Sequence, residues 1–349
     1  MEEKSKDSLK PLVSPPAVNS KASILILALW SLCLLSTFAV SLGIAVRQKL
    51  TLVNRLDEKD RLRFIAEAGI KKAISRLKEE PEKDYAALND GWSNNSIVFK
   101  EISIGNGKFS LSHAHINERT GLTEPWYGLT DEEGKLNINK AGQTIMERLF
   151  RILDYDEMQA QELAAAIIDW RDNDSELSIP LGSAEDSYYR NLKYPYEAKD
   201  ADFQVLEELL LVKGIDKDIY EKIKNYITIY GSGRINVNTA SKIILLALGI
   251  NADTADAIIS FRLGEDGIIG TADDNVFDTP ANIAPKLSQF SHLSDSAIAG
   301  LSIIAGQYLV TNSHNFMARC ISQLNGRKKT AEVISVINRS GKILYWQES

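Results

Sequence analysis

The sequence has little of the chemistry on which enzymes and disulfide-stabilised proteins depend. Only two cysteines and four histidines occur among its 349 residues. Cys33 lies inside an apolar run and Cys320 near the other end of the chain, so we expect no disulfide between them and interpret Cys320 as a small buried residue. His113 and His115 share one face of a predicted strand, but no third ligand is in view, so a surface pair is expected rather than a zinc site.

Catalytic and nucleic-acid-binding signatures are also absent from the sequence. It contains no G-x-S-x-G, no H-E-x-x-H and no phosphate-binding loop. The net charge of −7 argues against a general nucleic-acid binder, because phosphate binding requires a clustered basic face. We therefore predict a protein that is not an enzyme and has no nucleic-acid partner.

One long run without charge dominates the N-terminal part, from Ala22 to Val46. About 20 apolar residues in a helix span the hydrocarbon core of a membrane. The run is longer than the apolar region of a cleaved secretory signal, and no A-x-A cut follows it. Apolar residues then recur at helical spacing, so residues 23–80 are predicted to form one helix that spans the membrane over 23–46 and continues as an amphipathic helix over 47–80.

Residues 1–22 have the order of a prepilin-type leader. Lysines precede a small residue and then the apolar run, which predicts a cut between Ala22 and Ser23 by a prepilin peptidase. The usual residue before such a cut is glycine, and Ala22 departs from that pattern.

Strand patterns occur on both sides of a long helical block. Strands are predicted over 97–104 and 108–116, joined at Gly105-Asn106-Gly107, and again in hairpins after residue 306. Residues 131–306 have a helical pattern. The predicted fold class is therefore α+β: one domain of residues 81–130 and 307–349, with the long N-terminal helix packed on an antiparallel sheet, is interrupted by an inserted all-α domain of residues 131–306.

A short repeat occurs twice within the helical block. The sequence GKLNINKA from Gly134 resembles GRINVNTA from Gly233, and each copy is predicted to be a short extended piece that leads into a helix. The first of these helices is expected to begin near Asp131 and to run to about Leu153. Asn139 and Asn238 are the predicted N-caps, because an asparagine side chain can accept a free N–H of the first helical turn.

Two acidic loops are the clearest chemical feature. Calcium takes 6–8 oxygen ligands, often from aspartates on a turning loop, and crowded carboxylates favour a cation. A solvated acidic loop remains the alternative, and neither loop has the EF-hand ligand order. The predicted calcium ligands are Asp169, Asp172, Asp174, Glu176, Glu185 and Asp186 in the first loop, and Asp266, Asp273 and Asp274 in the second.

Several stretches, taken in order, resemble the type II secretion system protein K (GspK) family of minor pseudopilins. They are FIAEAG from Phe64, DEEGKLNINKA from Asp131, IDWRDND from Ile168, GSAEDSYY from Gly182, EELLLVKG from Glu207 and INVNTA from Ile235. The family lacks the glutamate that most pilins carry at the fifth position after the cut, and Leu27 occupies that position here.

The resemblance implies a pilin-like domain with an inserted helical domain that resembles SAM or helix-hairpin-helix domains. It further implies a single-pass inner-membrane protein whose C-terminal domain lies in the periplasm. There it would initiate and cap the pseudopilus, with the minor pseudopilins GspI and GspJ as partners. Calcium sites belong to the family, and Asp169, Asp172, Asp174, Glu185 and Asp186 are the positions that match them.

A second hypothesis comes from two glycine turns between apolar helices, over 212–215 and 248–250. Such turns resemble helix-hairpin-helix elements, which present backbone amides to DNA phosphate. They would suit a membrane-anchored DNA-binding module of a competence system, although they pack helices equally well and few basic residues surround them.

Overall fold

The computed structural model describes residues 20–80, 84–180 and 182–349, with side chains from Ile24 onward in the first range. Residues 1–19 of the predicted leader, and the side chains of Ala22 and Ser23 at its predicted cut, lie outside the described residues. The cut therefore stays a prediction. The chain divides into two compact units, Met1–Asp60 and Arg61–Ser349.

The helices and strands alternate in a mixed order along the chain. The α-helices are α1 (Ser20–Glu79), α2 (Ser96–Phe99), α3 (Gln143–Ile152), α4 (Glu157–Arg171), α5 (Asp186–Tyr189), α6 (Lys217–Ile223), α7 (Lys242–Ala247), α8 (Ala252–Arg262), α9 (Ile283–Phe290) and α10 (Asp295–Tyr308). The strands are β1 (Ile102–Ile104), β2 (Gly107–Leu111), β3 (His113–Ile116), β4 (Thr123–Trp126), β5 (Thr130–Asp131), β6 (Leu136–Asn137), β7 (Ile227–Thr228), β8 (Ile235–Asn236), β9 (Leu309–Val310), β10 (Asn315–Leu324), β11 (Thr330–Asn338) and β12 (Ile343–Glu348). Short 3-10 helices occur at Leu206–Leu211 and Pro280–Asn282.

The first unit contains the N-terminal part of α1. Its apolar side chains are exposed, with Leu27 at 71% and Phe38 at 72% of their full accessibility. The helix is long and apolar enough to cross a membrane. It continues without a break to Glu79, which confirms the predicted unbroken helix.

In the second unit, the C-terminal part of α1 packs on a sheet with the strand order β1-β2-β10-β11-β12. All neighbours are antiparallel, and β5 also pairs with β10. Leu62, Ile70 and Leu77 of α1 are buried in the core on one face of this sheet. Gly69 lies directly over Cys320 and Phe109, so the helix approaches the sheet closely. The α+β prediction is confirmed.

The chain between β5 and β10 forms its own hydrophobic core from α3, α4 and α7 to α10. It is helical apart from two short parallel pairs, β6 with β7 and β8 with β9. In each pair, one strand precedes a group of helices and the other strand follows it. The helices between them form the crossover connection that a parallel pair needs.

This helical part is built from two copies of one unit. The Asn139 side chain bonds the backbone N–H and C=O of Phe203 at 2.8 and 3.0 Å, and the Asn238 side chain bonds those of Phe277 at 2.8 and 2.9 Å. We call the copy that opens with β6 the first repeat and the copy that opens with β8 the second repeat.

Two arginines show the same correspondence between the repeats. Arg171 at the end of α4 donates to the Ala141 carbonyl at 2.6 Å, and Arg262 at the end of α8 donates to the Ala240 carbonyl at 2.6 Å. In both repeats an acidic loop follows this arginine.

Three expectations about local structure are wrong. Residues 96–99 form α2 instead of the start of a strand, because the Asn95 side chain accepts the Val98 N–H at 3.2 Å and caps a helical turn. Residues from Asp131 begin as β5 and β6, and the first helix begins only at Gln143. Asn139 and Asn238 are not N-caps, since Gly142 and Ser241 occupy those positions.

Candidate functional site

Acidic side chains of the first loop gather where α4 ends. Asp172 is the C-cap of α4 and leaves the helix in an extended conformation, and Glu185 is the N-cap of α5. One carboxylate oxygen each from Asp172, Asp174 and Glu185 lies within 4.8 Å of the other two. Two oxygens that bind one calcium ion at about 2.4 Å are at most about 4.8 Å apart, so the spacing fits a shared cation. We call these three residues and Asp169 the acidic cluster.

Several carboxylate oxygens of the acidic cluster lack a hydrogen-bond partner among the described residues. They are Asp169 Oδ2, Asp172 Oδ1 and Glu185 Oε1, and all three are buried. Asp169 is fully buried, and its other oxygen accepts the Ser178 N–H at 3.0 Å. Buried polar atoms are nearly always paired, so free carboxylate oxygens on these neighbouring acids are suited to a cation.

The pKa values of the cluster report the same uncompensated charge. Burial, followed by repulsion from neighbouring carboxylates, raises the pKa of Asp172 to about 6 and that of Glu185 to about 7. Asp200 adds to this repulsion at both groups. Sequence reasoning missed Asp200, because it follows the acidic motif at a distance, although Asp200-x-Asp202 has the same spacing as Asp172-x-Asp174 and could have drawn attention to it.

Two predicted ligands of the first loop point elsewhere. Asp186 forms a salt bridge with Arg190 at 2.7 Å and accepts the Ala198 N–H at 2.9 Å. Glu176 is exposed, and its backbone N–H donates to Asp174 Oδ1 at 2.9 Å. The structure thus brings Asp172, Asp174 and Glu185 together, with Asp169 beside them, and leaves Asp186 and Glu176 outside the group.

The second loop, from Gly264 to Asn275, uses its acids for its own hydrogen bonds. The Asp273 carboxylate accepts from the Thr271 hydroxyl and from the N–H groups of Glu265 and Asp266, and these bonds lower the pKa of Asp273 to about 2. Asp274 accepts the Gly270 N–H at 2.7 Å.

Asp266 is likewise engaged, since it accepts the Ile268 N–H at 2.7 Å. Within the described residues, Asp266, Asp273 and Asp274 are not gathered as the acidic cluster is. A cation in the second loop stays a prediction.

The two histidines of β3 differ from the expected surface pair. His115 stacks on Trp126 with ring centroids 3.6 Å apart, and both histidines are half-buried. Burial lowers the pKa of His113 and of His115 to about 4, so both rings are neutral at pH 7.

Comparisons with known proteins agree with this architecture. Residues 116–232 match the family described as type II secretion system, protein K, and this range includes the first repeat and the acidic cluster. The chain is 23% identical over 286 residues to the type II secretion system protein K of Aeromonas hydrophila, covering 80% of each chain. It is 29% identical over 140 residues to that of Pectobacterium carotovorum subsp. carotovorum, covering 38% of this chain and 42% of the relative.

A solved structure has the same fold. It is a chain from the crystal structure of the GspK-GspI-GspJ complex of the enterotoxigenic Escherichia coli type 2 secretion system. The TM-score is 0.62 at 18% identity, and the match covers 85% of this chain and 99% of that chain. Over residues 116–232 the chain thus matches the type II secretion system protein K family, over most of its length it is similar to the Aeromonas hydrophila protein of that name, and the solved structure shows the same fold.

Proposed function

We propose that this protein is the minor pseudopilin at the tip of a type II secretion pseudopilus, where it initiates and caps assembly for protein export across the outer membrane. The observation that carries the proposal is the duplicated helical insert between β5 and β10 of a pilin-like sheet. Such an insert adds bulk that would block the addition of a further subunit. The insert leaves α1 available for packing against the corresponding helices of the other pseudopilus subunits.

Leu27 supports the terminal position. In other pilins a glutamate at this place neutralises the amino terminus of a neighbouring subunit inside the bilayer, where an unpaired charge is costly. A subunit with Leu27 lacks that carboxylate but still offers its own amino terminus. It therefore suits a position with neighbours on one side only.

The proposed partners are minor pseudopilins equivalent to the GspI and GspJ that the solved complex contains. On α1, Phe64 is 66% exposed although Leu62 and Ile65 on either side of it are buried against the sheet. An exposed aromatic side chain beside a buried face is typical of a protein interface. We infer that this face of α1 binds a partner helix.

Co-purification of the full chain with its GspI-like and GspJ-like partners tests the assembly. We expect a complex with the wild type and its loss with Phe64→Glu. Ile97→Glu is the matched control, because Ile97 is an equally apolar residue that is 88% exposed but lies on α2. No complex with the wild type would refute the assembly, and equal loss with both variants would refute the role of α1.

We place the chain in the inner membrane as a single-pass protein, with the second unit in the periplasm and with the leader removed by a prepilin peptidase. The exposed apolar side chains of the first unit support the membrane anchor. Mass spectrometry of the mature protein tests processing. A chain that begins at Ser23 is expected, and retention of residues 1–22 would contradict the proposal.

We also propose a structural rather than an enzymatic role, with calcium as a structural ion. The acidic cluster offers buried carboxylate oxygens without hydrogen-bond partners, which is the chemistry that calcium prefers. Bound calcium would hold the end of α4 to the start of α5. Calorimetric titration with calcium tests this by measuring the number of bound ions. The acidic cluster predicts one ion, and a second bound ion would support a site in the second loop.

The DNA-binding alternative gains no support. At the first glycine turn, the Lys213 ammonium already donates to the carbonyls of Gly182 and Ser183 at 3.0 and 3.1 Å. That lysine is engaged within the protein, and the relatives named above are secretion proteins.

A further inference from the structure

A groove of about 910 Å³ runs through the second unit beside β3. Every residue from His113 to Arg119 lines it, so the groove follows the edge of the strand and not only one face. Its other walls come from the helical insert and from the sheet, and they combine apolar side chains such as Ile243, Ile259, Met317 and Ile334 with charged ones such as Lys224 and Glu332. The volume is that of a ligand-binding cleft.

The edge of β3 that faces away from β4 has no strand beside it within the described chain. In an antiparallel pair, the backbone N–H and C=O groups of alternate residues point toward the partner strand. The bonds from Asn117 N–H to the Leu122 carbonyl and from Gly128 N–H to the Leu111 carbonyl show that these groups point toward the β4 side at every second residue, which includes His113 and His115. The backbone N–H and C=O of Ala114 and Ile116 therefore point away from β4.

Both of these residues are accessible. Ala114 and Ile116 are exposed, with Ile116 at 44%. Exposed edges of this kind pair readily with another extended chain, and natural proteins usually cover, twist or charge them. Here the edge adjoins a groove instead.

His113, His115 and Arg262 also line the groove, but their side-chain nitrogens His113 Nδ1, His115 Nε2 and Arg262 Nε are buried and do not reach it. The hydrogen-bonding groups that β3 offers to the groove are therefore the outward N–H and C=O groups of its own backbone.

A ligand for this groove must therefore supply both N–H donors and C=O acceptors along an extended line, together with apolar groups. A polypeptide backbone in the extended conformation has this composition. A fatty acid offers only acceptors, and an alkane offers neither.

We propose that the groove binds an extended segment of a partner protein, which adds as a strand to the open edge of β3 and places alternate apolar side chains against Ile243 and Met317. Main-chain hydrogen bonds to Ala114 and Ile116 would provide affinity, and the side-chain pockets would provide selectivity. This role is separate from pseudopilus assembly through α1 and does not depend on it.

The test uses the full chain in lipid nanodiscs and a blocked hexapeptide in which valine and threonine alternate, labelled with fluorescein on an added lysine. Fluorescence anisotropy should show saturable binding. Ile116→Pro removes the outward N–H at an edge position where proline is tolerated, and should weaken binding about tenfold. Ile116→Val keeps that N–H and should bind within about twofold of the wild type.

A second probe guards against misfolding of the proline variant. A copy of the peptide that is N-methylated on alternate backbone amides, on the edge that would pair with β3, cannot donate to the groove and should bind the wild type about tenfold more weakly. No saturable binding to the wild type would overturn the proposal. Equal binding of the N-methylated copy would overturn it too, as would equal binding of well-folded Ile116→Pro and Ile116→Val.

Discussion

The side-chain amide of Asn236 donates a hydrogen bond of 3.2 Å to Oδ2 of Asp131, and both residues are buried. The same amide donates to the Ala86 carbonyl at 3.0 Å and to the Ser313 hydroxyl at 2.7 Å. Asn236 belongs to the second repeat, Asp131 to β5, and Ser313 comes just before β10. This one side chain connects the helical insert to β5 and to the segment that leads into β10.

Replacement of Asn236 by alanine should lower the free energy of unfolding by about 3 kcal/mol, since it leaves several buried polar groups unpaired. Asn137→Ala is the matched control, because Asn137 occupies the same place in the first repeat and donates only to the Tyr230 and Gly231 carbonyls. Its cost should be smaller by about 1 kcal/mol or more. Urea unfolding followed by tryptophan fluorescence measures both. Equal losses would mean that the contact with Asp131 adds nothing.

The Asp131 carboxyl should make stability depend on pH. Burial raises its pKa to about 7, with the neighbouring Glu133 charge as the second cause, whereas an unfolded aspartate has a pKa of about 3.9. The folded state therefore binds a proton that the unfolded state has lost, and the contribution of this group to stability falls as the pH rises from about 4 to about 7.

The variant Asp131→Asn tests this prediction, because an amide mimics the protonated acid and does not titrate. The difference in unfolding free energy between pH 5 and pH 7.5 should be smaller in the variant than in the wild type. Parallel pH profiles would show that Asp131 does not titrate in this range.

Calcium should stabilise the protein through the acidic cluster. A ligand that binds only the folded state raises stability by mass action, about 2.7 kcal/mol at a hundredfold excess over its dissociation constant. Chelator should therefore lower the melting temperature, and Asp172→Asn or Glu185→Gln should abolish that shift. Glu176→Gln is the control, since Glu176 is exposed and outside the cluster. An unchanged melting temperature in chelator would remove the calcium proposal.

Gly69 should tolerate no larger residue. A Cβ there would collide with the Cys320 thiol and approach the Phe109 ring to 3.0 Å, so Gly69→Ala should destabilise the second unit by about 1–3 kcal/mol. Gly43→Ala is the control on the same helix, because a Cβ at Gly43 meets no atom within 4 Å.

Thermal unfolding of the two alanine variants gives the comparison. The double variant Gly69→Ala/Cys320→Ala should recover part of the lost unfolding free energy, since it removes the Cys320 thiol with which the new Cβ would collide. If the Gly69→Ala variant is as stable as the wild type, α1 and the sheet can move slightly apart without a loss of folding free energy.

Local sequence patterns predicted the features that depend on neighbouring residues. The charge-free run gave α1, the turn at Gly105-Asn106-Gly107 gave the hairpin of β1 and β2, and the alternating acids of Asp172-x-Asp174 gave part of the acidic cluster. Each of these features depends on a regular residue spacing or on a turn that lies within a few consecutive residues.

The features that sequence reasoning missed depend on distant partners. Asn139 and Asn238 were suited to cap helices, yet each instead bonds a phenylalanine backbone far along the chain. The resemblance of GKLNINKA to GRINVNTA was visible. The equivalence of Arg171 and Arg262 was not, because it rests on a carbonyl that only the folded repeat presents.

The pairing of Asp131 in β5 with Phe316 in β10 brings the two ends of the helical insert together. The whole insert leaves and re-enters the sheet at two adjacent positions, which is the geometry in which insertion into a host domain is best tolerated. The strand order of the sheet therefore does not depend on the insert, and a chain that joins β5 to β10 through a tight turn would keep it.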